Sequence, residues 1–341
     1  MPVESMPGGD YAGRLMATVD LSIIIVNWNT RDLLAACLAS LPAATAGLTS
    51  EIIVVDNDSR DSSAAMVQKR FPAAQVVAAG ANLGFARANN VALRRASGRN
   101  VLLLNPDTVC PPGSLAALAA VAAHHPECGG FGPLLIAHDD TPTTSCGNFP
   151  ALRFHWLRPL ASLPFGRRWQ RWSRFTDVPR RGEPSRLVDY VAGACLLIPR
   201  DVLARVGTLD ERFFLYFEET DWCFRAWRAG LPIMLCTAVE VVHLEGRAAE
   251  LVSRFSLTQF QSSYRRFIAK HRGRRTVGLL RCALFWEKGM LSVWHACRPW
   301  SARHRQLARR YAFELRLQLR ADIDPPPPVL DTEPRWSPPK A

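Results

Sequence analysis

An α/β fold, built on one mostly parallel, doubly wound sheet with a basic helical extension after it, is what these 341 residues predict. Three observations carry the expectation. Short β-branched runs without polar alternation, the mark of strands buried on both faces, alternate with stretches of helical spacing at the rhythm of βαβ units. An apolar fraction of 48% over this length is enough to fill a large core. The charge is also unevenly spread: residues 1–250 carry 24 basic and 24 acidic side chains and residues 251–341 carry 18 and 6, so the net +12 lies wholly in the last quarter.

The elements follow in order. Residues 1–20 are Gly- and Pro-marked and read as a flexible N-terminus. Leu21–Val26 is the first buried strand, and Leu33, Leu34, Cys37, Leu38 and Leu41 give Asp32–Leu41 a helical period. Glu51–Val55 is a second buried strand, running into the turn Asp56–Asp61. Ser62–Phe71 reads as a helix stopped by Pro72, Gln75–Ala78 as a weak strand, Phe85–Ser97 as a helix, and Asn100–Leu104 as a third apolar strand. Between Thr141 and Leu187, nine Arg and six Pro with Trp156, Trp169 and Trp172 interrupt any period, so 141–190 is expected to be a long irregular insertion. The fold resumes with strand-like Val188–Val191 and Ala194–Ile198 and a helix Arg200–Val206 that ends at Gly207. A helix Glu218–Ala229 closes at Gly230 with Pro232 beyond, and 231–243 forms a last strand ending at His243. This makes 21–250 a single Rossmann-like unit.

Residues 251–322 read as a basic amphipathic helical module, with 16 Lys/Arg and 2 Glu between Arg254 and Arg320. Within it, Arg281, Lys288, Ser292 and His295 form one narrow polar stripe on an otherwise apolar helix. Such a helix, surrounded by Lys and Arg, suits an anionic membrane surface, or else packs its apolar face on the body. Residues 323–341 form a Pro-rich tail.

Composition excludes disorder, collagen and a disulfide-stapled miniprotein. Nine scattered cysteines without a C-x-x-C pair suit a reducing compartment. With no apolar leader and no run of 18 apolar residues, the expected location is cytoplasmic, peripheral on the cytoplasmic face of the cell membrane. Neither G-x-G-x-x-G after the first strand nor a G-x-x-x-x-G-K loop is present, so dinucleotide and Walker-type sites lack support.

Ligands of an open parallel sheet bind beyond the carboxyl ends of its strands. Four polar clusters follow buried strands there: Asn27-Trp-Asn29, Asp56-Asn-Asp-Ser59, Asn105-Pro-Asp107 and His243. Any one alone is an ordinary Asn/Asp turn; four at equivalent strand ends point to a ligand cleft. Asn82-Leu-Gly-Phe-Ala-Arg-Ala-Asn89 adds one glycine at a helix start. Glu218, Glu219 and Asp221 crowd a helix N-terminus behind the apolar run Phe213–Phe217. The dipole favours acids at that end and Asp221 can pair with Arg225, yet neither explains three carboxylates in four residues.

Taken as a set, Ser22–Asn29, Val54–Ser59, Asn82–Phe85, Leu104–Thr108, Gly193-Ala194, Val206–Asp210, Phe214–Asp221 and His243 resemble the successive motifs of inverting family 2 glycosyltransferases, in the bacterial rhamnosyltransferase-like branch. The resemblance covers about residues 20–250, in order. It implies a glycosyltransferase A-type, nucleotide-sugar-binding fold that transfers a sugar with inversion from a nucleotide diphosphate donor, dTDP-rhamnose being favoured, to a glycan or polyprenyl-linked acceptor in cell-surface polysaccharide synthesis. It also implies that Asp56, with Asn57, Ser59 and the Asn27–Asn29 turn beside it, binds the base of the nucleotide. Asn82, Gly84 and Asn89 would line the ribose and diphosphate. Asp107 holds the last position of the family's D-x-D motif, with Asn105 at the first, and Asp107 and His243 would hold Mg²⁺ or Mn²⁺. Glu219 falls where the family has its catalytic base, with Glu218 and Asp221 as alternatives.

The chemistry suits these roles: a cation neutralises a departing diphosphate, and inversion needs a carboxylate to take the proton of the attacking hydroxyl. Two other readings stay open, a nucleic-acid-binding protein using the basic segment and an inactive relative that scaffolds a membrane complex. The first lacks a reading motif beside its basic residues, and no nucleic acid partner is expected.

Overall fold

The computed structural model describes residues 19–152, 155, 175–244, 254–298 and 300–319. Nearly all of the expected N-terminal arm, the Pro-rich tail, and Trp156, Trp169 and Trp172 of the insertion lie outside the described residues.

The elements are β1 (Leu21–Asn27), α1 (Arg31–Ala44), β2 (Ser50–Asp56), α2 (Ser63–Arg70), β3 (Gln75–Ala78), α3 (Phe85–Leu93), β4 (Asn100–Leu104), β5 (Thr108–Val109), α4 (Ser114–His124), β6 (Gly130–Ile136), β7 (Cys146–Gly147) and β8 (Thr176–Asp177). They continue with β9 (Arg186–Val188), β10 (Tyr190–Val191), β11 (Cys195–Pro199), α5 (Arg200–Val206), α6 (Glu218–Arg228), β12 (Ile233–His243), α7 (Arg254–Arg272), α8 (Arg274–Ala296) and α9 (Ala302–Leu319).

The main sheet runs β3-β2-β1-β4-β11-β6-β12-β5, with β9 paired to β12. β1 is parallel to β2 and β4, β2 to β3, and β6 to β12. β11 is antiparallel to both β4 and β6, so the sheet is mostly but not wholly parallel. Its run Cys195-Leu-Leu-Ile198 is buried throughout, and a strand apolar on both faces carries no mark of its direction. One face of the sheet packs on α1 and α4, the other on α3, α5 and α6. Every side chain of β1 is buried, as its unbroken apolar run requires.

The insertion differs from its irregular reading in β7 and β8, which pair antiparallel with β10 of the expected Val188–Val191 stretch, and in β9, which begins at Arg186 and pairs with β12. Strands of two residues are too short to show a period. α3 ends at Leu93, four residues before the expected end. There the Glu51 carboxylate accepts hydrogen bonds from the backbone N–H and hydroxyl of Ser97, which draws the chain out of the helix. α4 and β6 had no sequence signal assigned to them.

The three C-terminal helices do not stand apart from the sheet domain. Tyr264, Phe267 and Ile268 of α7 and Val277, Leu280 and Leu284 of α8 bury Phe213 and Phe217 in one aromatic cluster. The polar stripe of α8 faces its neighbours, not solvent: Arg281 donates to the Gln318 carbonyl at 2.6 and 2.9 Å, and Lys288 lies 2.9 Å from Glu314. Ser292 donates to the Ala308 carbonyl, and His295 meets His304. Leu279, Phe285, Trp286, Met290, Val293 and Trp294 are exposed instead.

Candidate active site

At one end of the row of strand ends, β1 and β2 finish side by side, with Asn27 opposite Asp56 in register. The Asn27 amide donates to Asp56 Oδ1 and to Ser59 Oγ, and Ser59 Oγ accepts from the Asn29 backbone N–H. The Ser59 N–H donates back to Asp56 Oδ2. Asn29 and Asp58 hold left-handed backbone (φ 53° and 68°), a conformation that Asn and Asp tolerate, so the two turns fold over each other. Asn57 extends the network: its amide donates to Asn82 Oδ1, and its own Oδ1 accepts from the Leu83 N–H. Asn27, Asn29, Asp56, Asn57, Ser59 and Asn82 are thus one connected set.

Gly84 and Asn89 serve packing. A Cβ on Gly84 would lie 2.5 Å from the Phe214 carbonyl oxygen, at φ 77°, so its missing side chain admits the loop that leads to α6. The Asn89 side chain is buried and donates to the Phe85 carbonyl of its own helix. Asn90, which the sequence reading passed over, is the residue that reaches across: it donates to the Leu209 carbonyl and Glu211 and accepts from the Leu209 N–H.

Further along the same edge, Asn105 and Asp107 follow β4. The antiparallel pairing of β5 with β12 sets His243 opposite Thr108, and the Leu244 N–H donates to the Asp107 carbonyl. His243 Nε2 and Asp107 Oδ1 consequently lie 3.3 Å apart although 136 positions separate them in sequence. A carboxylate oxygen and an imidazole nitrogen converging at this distance are a chemically suitable pair of donors for one divalent ion. Among the described residues no group of three or more His, Cys, Asp or Glu forms a ready cage. The pair therefore fits an ion that takes its remaining ligands from water and substrate phosphates, as Mg²⁺ commonly does.

Between these ends stands α6. Tyr216 and Phe217 both adopt left-handed backbone (φ 68°), a strained state for bulky side chains, and Phe217 is the N-cap. The aromatic cluster holds that strain: the Phe217 ring stacks on Tyr264 at 5.3 Å and packs on Phe260 at 5.1 Å, while the Ser263 hydroxyl donates to the Leu215 carbonyl. The turn delivers Glu218 and Glu219 to the cleft. Glu219 lies against Gly193, where a Cβ would sit 3.4 Å from its Cγ. The next carbonyl, of Ala194, accepts from the Asn105 N–H at 2.9 Å, so Glu219 and Asn105-Pro-Asp107 flank the same strand junction. Burial pushes the Glu219 carboxyl up, only partly offset by backbone N–H bonds and the Thr220 hydroxyl. Glu218 is wholly buried with Oε2 lacking a hydrogen-bond partner, and burial together with the Glu219 charge pushes it well above the ordinary range.

Asp221, read from the sequence as an alternative to Glu219, is brought elsewhere. Its Oδ1 meets Lys270 Nζ at 2.6 Å and His271 Nε2 at 2.7 Å, and its Oδ2 meets Arg225 Nε at 3.0 Å. Burial alone would raise this carboxyl, but the His271 and Lys270 hydrogen bonds and the two cations outweigh it and hold it below the usual range. Lys270 also reaches Asp210 at 2.7 Å. Helix α7 thus grips the 210–221 segment by charge and by aromatic packing. Nothing in the sequence marked Lys270 or His271 within a stretch already rich in Lys and Arg; their partners lie 50 positions away.

The glycosyl transferase family 2 model matches residues 22–207. An N-acetylglucosaminyl-diphospho-decaprenol L-rhamnosyltransferase of Mycobacterium tuberculosis is 30% identical over 236 residues, covering 65% of this chain and 75% of the relative. The rhamnosyltransferase WbbL of Escherichia coli is 26% identical, covering 65% of this chain and 82% of the relative. Among solved structures, the mannosyltransferase PcManGT of Pyrobaculum calidifontis, in complex with GDP-Man and Mn²⁺, has TM-score 0.52 at 16% identity, covering 89% of this chain and 87% of that one. GalNAc-T7 with UDP, GalNAc and Mn²⁺ has TM-score 0.53 at 16% identity, this chain spanning 47% of its length. At these identities the structural likeness speaks for the fold, which is the glycosyltransferase A type. A cleft at the strand ends, motifs in the family's order and a match over more than half the chain lead to one conclusion: this chain belongs to glycosyl transferase family 2 and is a glycosyltransferase of its rhamnosyltransferase-like branch.

Proposed function

We propose that this enzyme transfers a sugar, rhamnose being favoured, with inversion from a nucleotide diphosphate donor such as dTDP-rhamnose to a hydroxyl of a glycan or polyprenyl-linked acceptor. The observation that carries the proposal is the meeting of Glu219, the Gly193-Ala194 junction, Asn105-Pro-Asp107 and His243 at one end of the sheet. Names among the relatives favour rhamnose, and that of the M. tuberculosis relative favours a lipid diphosphate acceptor.

In this reading the Asn27–Ser59 network and Asn82 bind the nucleotide, and Asp107 and His243 hold a divalent ion, Mg²⁺ or Mn²⁺. Such an ion, when bound, offsets the charge of the departing diphosphate. Glu219 accepts the proton of the acceptor hydroxyl as it attacks opposite the leaving group. A raised pKa brings this base closer to neutral pH, where it is most effective. Glu218, whose carboxyl burial and the Glu219 charge push upward, stands beside it as a weaker acid than an exposed glutamate. Asp221 acts as an anchor, fastening α6 to α7.

The same reading puts the protein at the cytoplasmic face of the cell membrane, supported by the second, exposed apolar face of α8. No helix among the described residues is long and apolar enough to cross a membrane. Both carboxylates of the basic segment, Glu287 and Glu314, are buried, while Arg272, Arg274, Arg275, Arg303, Arg305 and Arg309 are exposed around a helix that shows Trp286, Met290 and Trp294 to the outside. Exposed apolar side chains on a segment whose exposed charges are basic suit an anionic lipid surface. A donor screen for nucleoside diphosphate release, comparing dTDP-rhamnose, UDP-hexoses and GDP-mannose with Mg²⁺ or Mn²⁺, tests the proposal. Release from none of them would sink it.

A further inference from the structure

A cavity of about 330 Å³ lies between the sheet domain and the three C-terminal helices, and the cleft described above does not account for it. Its walls are aromatic: Phe175, Tyr216 and Phe217 from the sheet domain, Phe260 and Tyr264 from α7, and Tyr311 from α9. Charged side chains also border it, but they are spent on one another. Lys288 lies 3.1 Å from Glu287 and 2.9 Å from Glu314, and Arg310 lies 3.0 Å from Glu314. His155 bridges Glu287 at 2.5 Å and the Tyr264 hydroxyl at 2.8 Å. A sugar ring would need a polar partner for each hydroxyl it buried, and this border has little capacity left. An apolar chain asks only for apolar wall.

The cavity is placed for such a chain in two respects. Phe217, one of its walls, is the N-cap of α6 and stands two residues before Glu219, so the cavity and the base share one helix start. Helix α8 contributes Leu284 and Lys288 to the cavity and shows Phe285, Trp286 and Met290 on its outer side. The same helix therefore joins the cavity to the surface that suits a bilayer.

We propose that this cavity takes the first isoprene units of a prenyl-linked acceptor, holding them while the head group enters the cleft beside Glu219. Its volume is at the small end of ligand sites, enough for the start of a polyprenyl chain and not for its whole length. The proposal rests on the glycosyl transfer reading for the identity of the acceptor, but its test does not require turnover.

The probe is farnesyl diphosphate carrying a diazirine on its chain, photolysed with the full-length protein, the labelled peptides being mapped by mass spectrometry. Label is expected in the segments containing Leu257–Tyr264 and Arg310–Glu314. Unmodified farnesyl diphosphate should compete at least tenfold better than inorganic diphosphate or a free disaccharide. Ser256→Trp, which fills the cavity from its α7 wall, should cut labelling at least tenfold, with the thermal midpoint measured to confirm folding. If that variant fails to fold, the wild-type map decides alone. Label confined to the outer face of α8, competition by the disaccharide instead, or no label at all overturns the proposal. Nucleoside diphosphate release by the same preparation is scored separately. Release without cavity labelling sinks this inference alone, whereas labelling without release from any donor sinks the glycosyl transfer reading and leaves the prenyl site standing.

Discussion

The sheet and helix α8 differ in where they put apolar side chains: the sheet keeps them inside, whereas α8 buries Val277, Leu280 and Leu284 and also shows a second apolar face outward. In β1 and β4 the runs Ile23–Val26 and Val101–Leu104 are apolar and buried, and Asn27, Asn105 and Asp107 follow them at the carboxyl-end edge of the sheet. In α8 a polar stripe, Arg281, Lys288 and Ser292 with buried Glu287, lines the seam with α9, while Val293 at 63% exposure and Leu279 at 59% face outward. Burying apolar groups lowers free energy only relative to water. An element whose outer side meets another apolar phase can carry apolar residues outward as well, and bury a polar seam provided its groups are paired. The seam satisfies that condition, since Lys288 is shared by two carboxylates and Arg281 is bound to a carbonyl.

This contrast can be broken or sharpened by experiment. The largest effect belongs to the sheet domain: Glu219→Gln should lower kcat by about 10²–10⁴, the usual worth of a general base, while nucleotide affinity measured by titration stays unchanged. Full activity in that variant would remove Glu219 from its role. Next, His243→Ala should raise the Mg²⁺ or Mn²⁺ concentration for half-maximal rate at least by the roughly 10–100-fold that losing an outer-shell partner costs.

The joint between the two regions comes third. Lys270→Met leaves buried Asp221 and Asp210 each short of a cation and should cost about 1–3 kcal/mol in urea unfolding, with Lys270→Arg recovering part of it. Because Lys270 touches no reacting atom, its effect on rate should follow the loosening of α6, with kcat falling more than donor KM changes.

On α8, replacing Trp286 and Trp294 together by Glu should weaken co-sedimentation with anionic vesicles by at least tenfold, since each buried aromatic contributes about 1.5–3 kcal/mol. Stability should move by no more than about 0.5 kcal/mol, as for other surface changes. Unchanged vesicle binding would return that face to mere solvent exposure.

The smallest effect is a separation along the pH axis. Glu219 must be ionised to act and its pKa is raised, so kcat/KM should fall on acidification through a midpoint above the ordinary glutamate value of about 4.3. Asp221 is depressed, so its contribution to stability is present above the unfolded pKa and is lost only as pH falls through the lower folded one. Activity should therefore disappear at a pH where circular dichroism still reports a folded protein. Coincident losses would contradict the assignment.

Much of this was legible in the residues. The runs at Leu21–Val26 and Asn100–Leu104 lie where strands formed, because a β-branched or leucine run of that length has few other ways to be buried. The C-terminal ends of those strands pointed to the cleft, because topology, not side-chain detail, makes that edge the ligand side. The direction of β11, the short strands of the insertion and the early end of α3 were not legible. Each depends on a partner distant in sequence: β4 and β6 for β11, Glu51 for Ser97.

The chain's own order of residues was enough to determine the α/β class, the four polar strand ends and the confinement of the net charge to the last quarter, since all three are properties of neighbours along the backbone. Only the tertiary structure decided which neighbours each carboxylate meets. Glu219 meets Gly193 while Asp221 meets Lys270 and His271, because the helix turns two nearby positions toward different surroundings. It also decided the sense of α8, since one polar stripe can face water or another helix, and the pairing partners in α9 settle which.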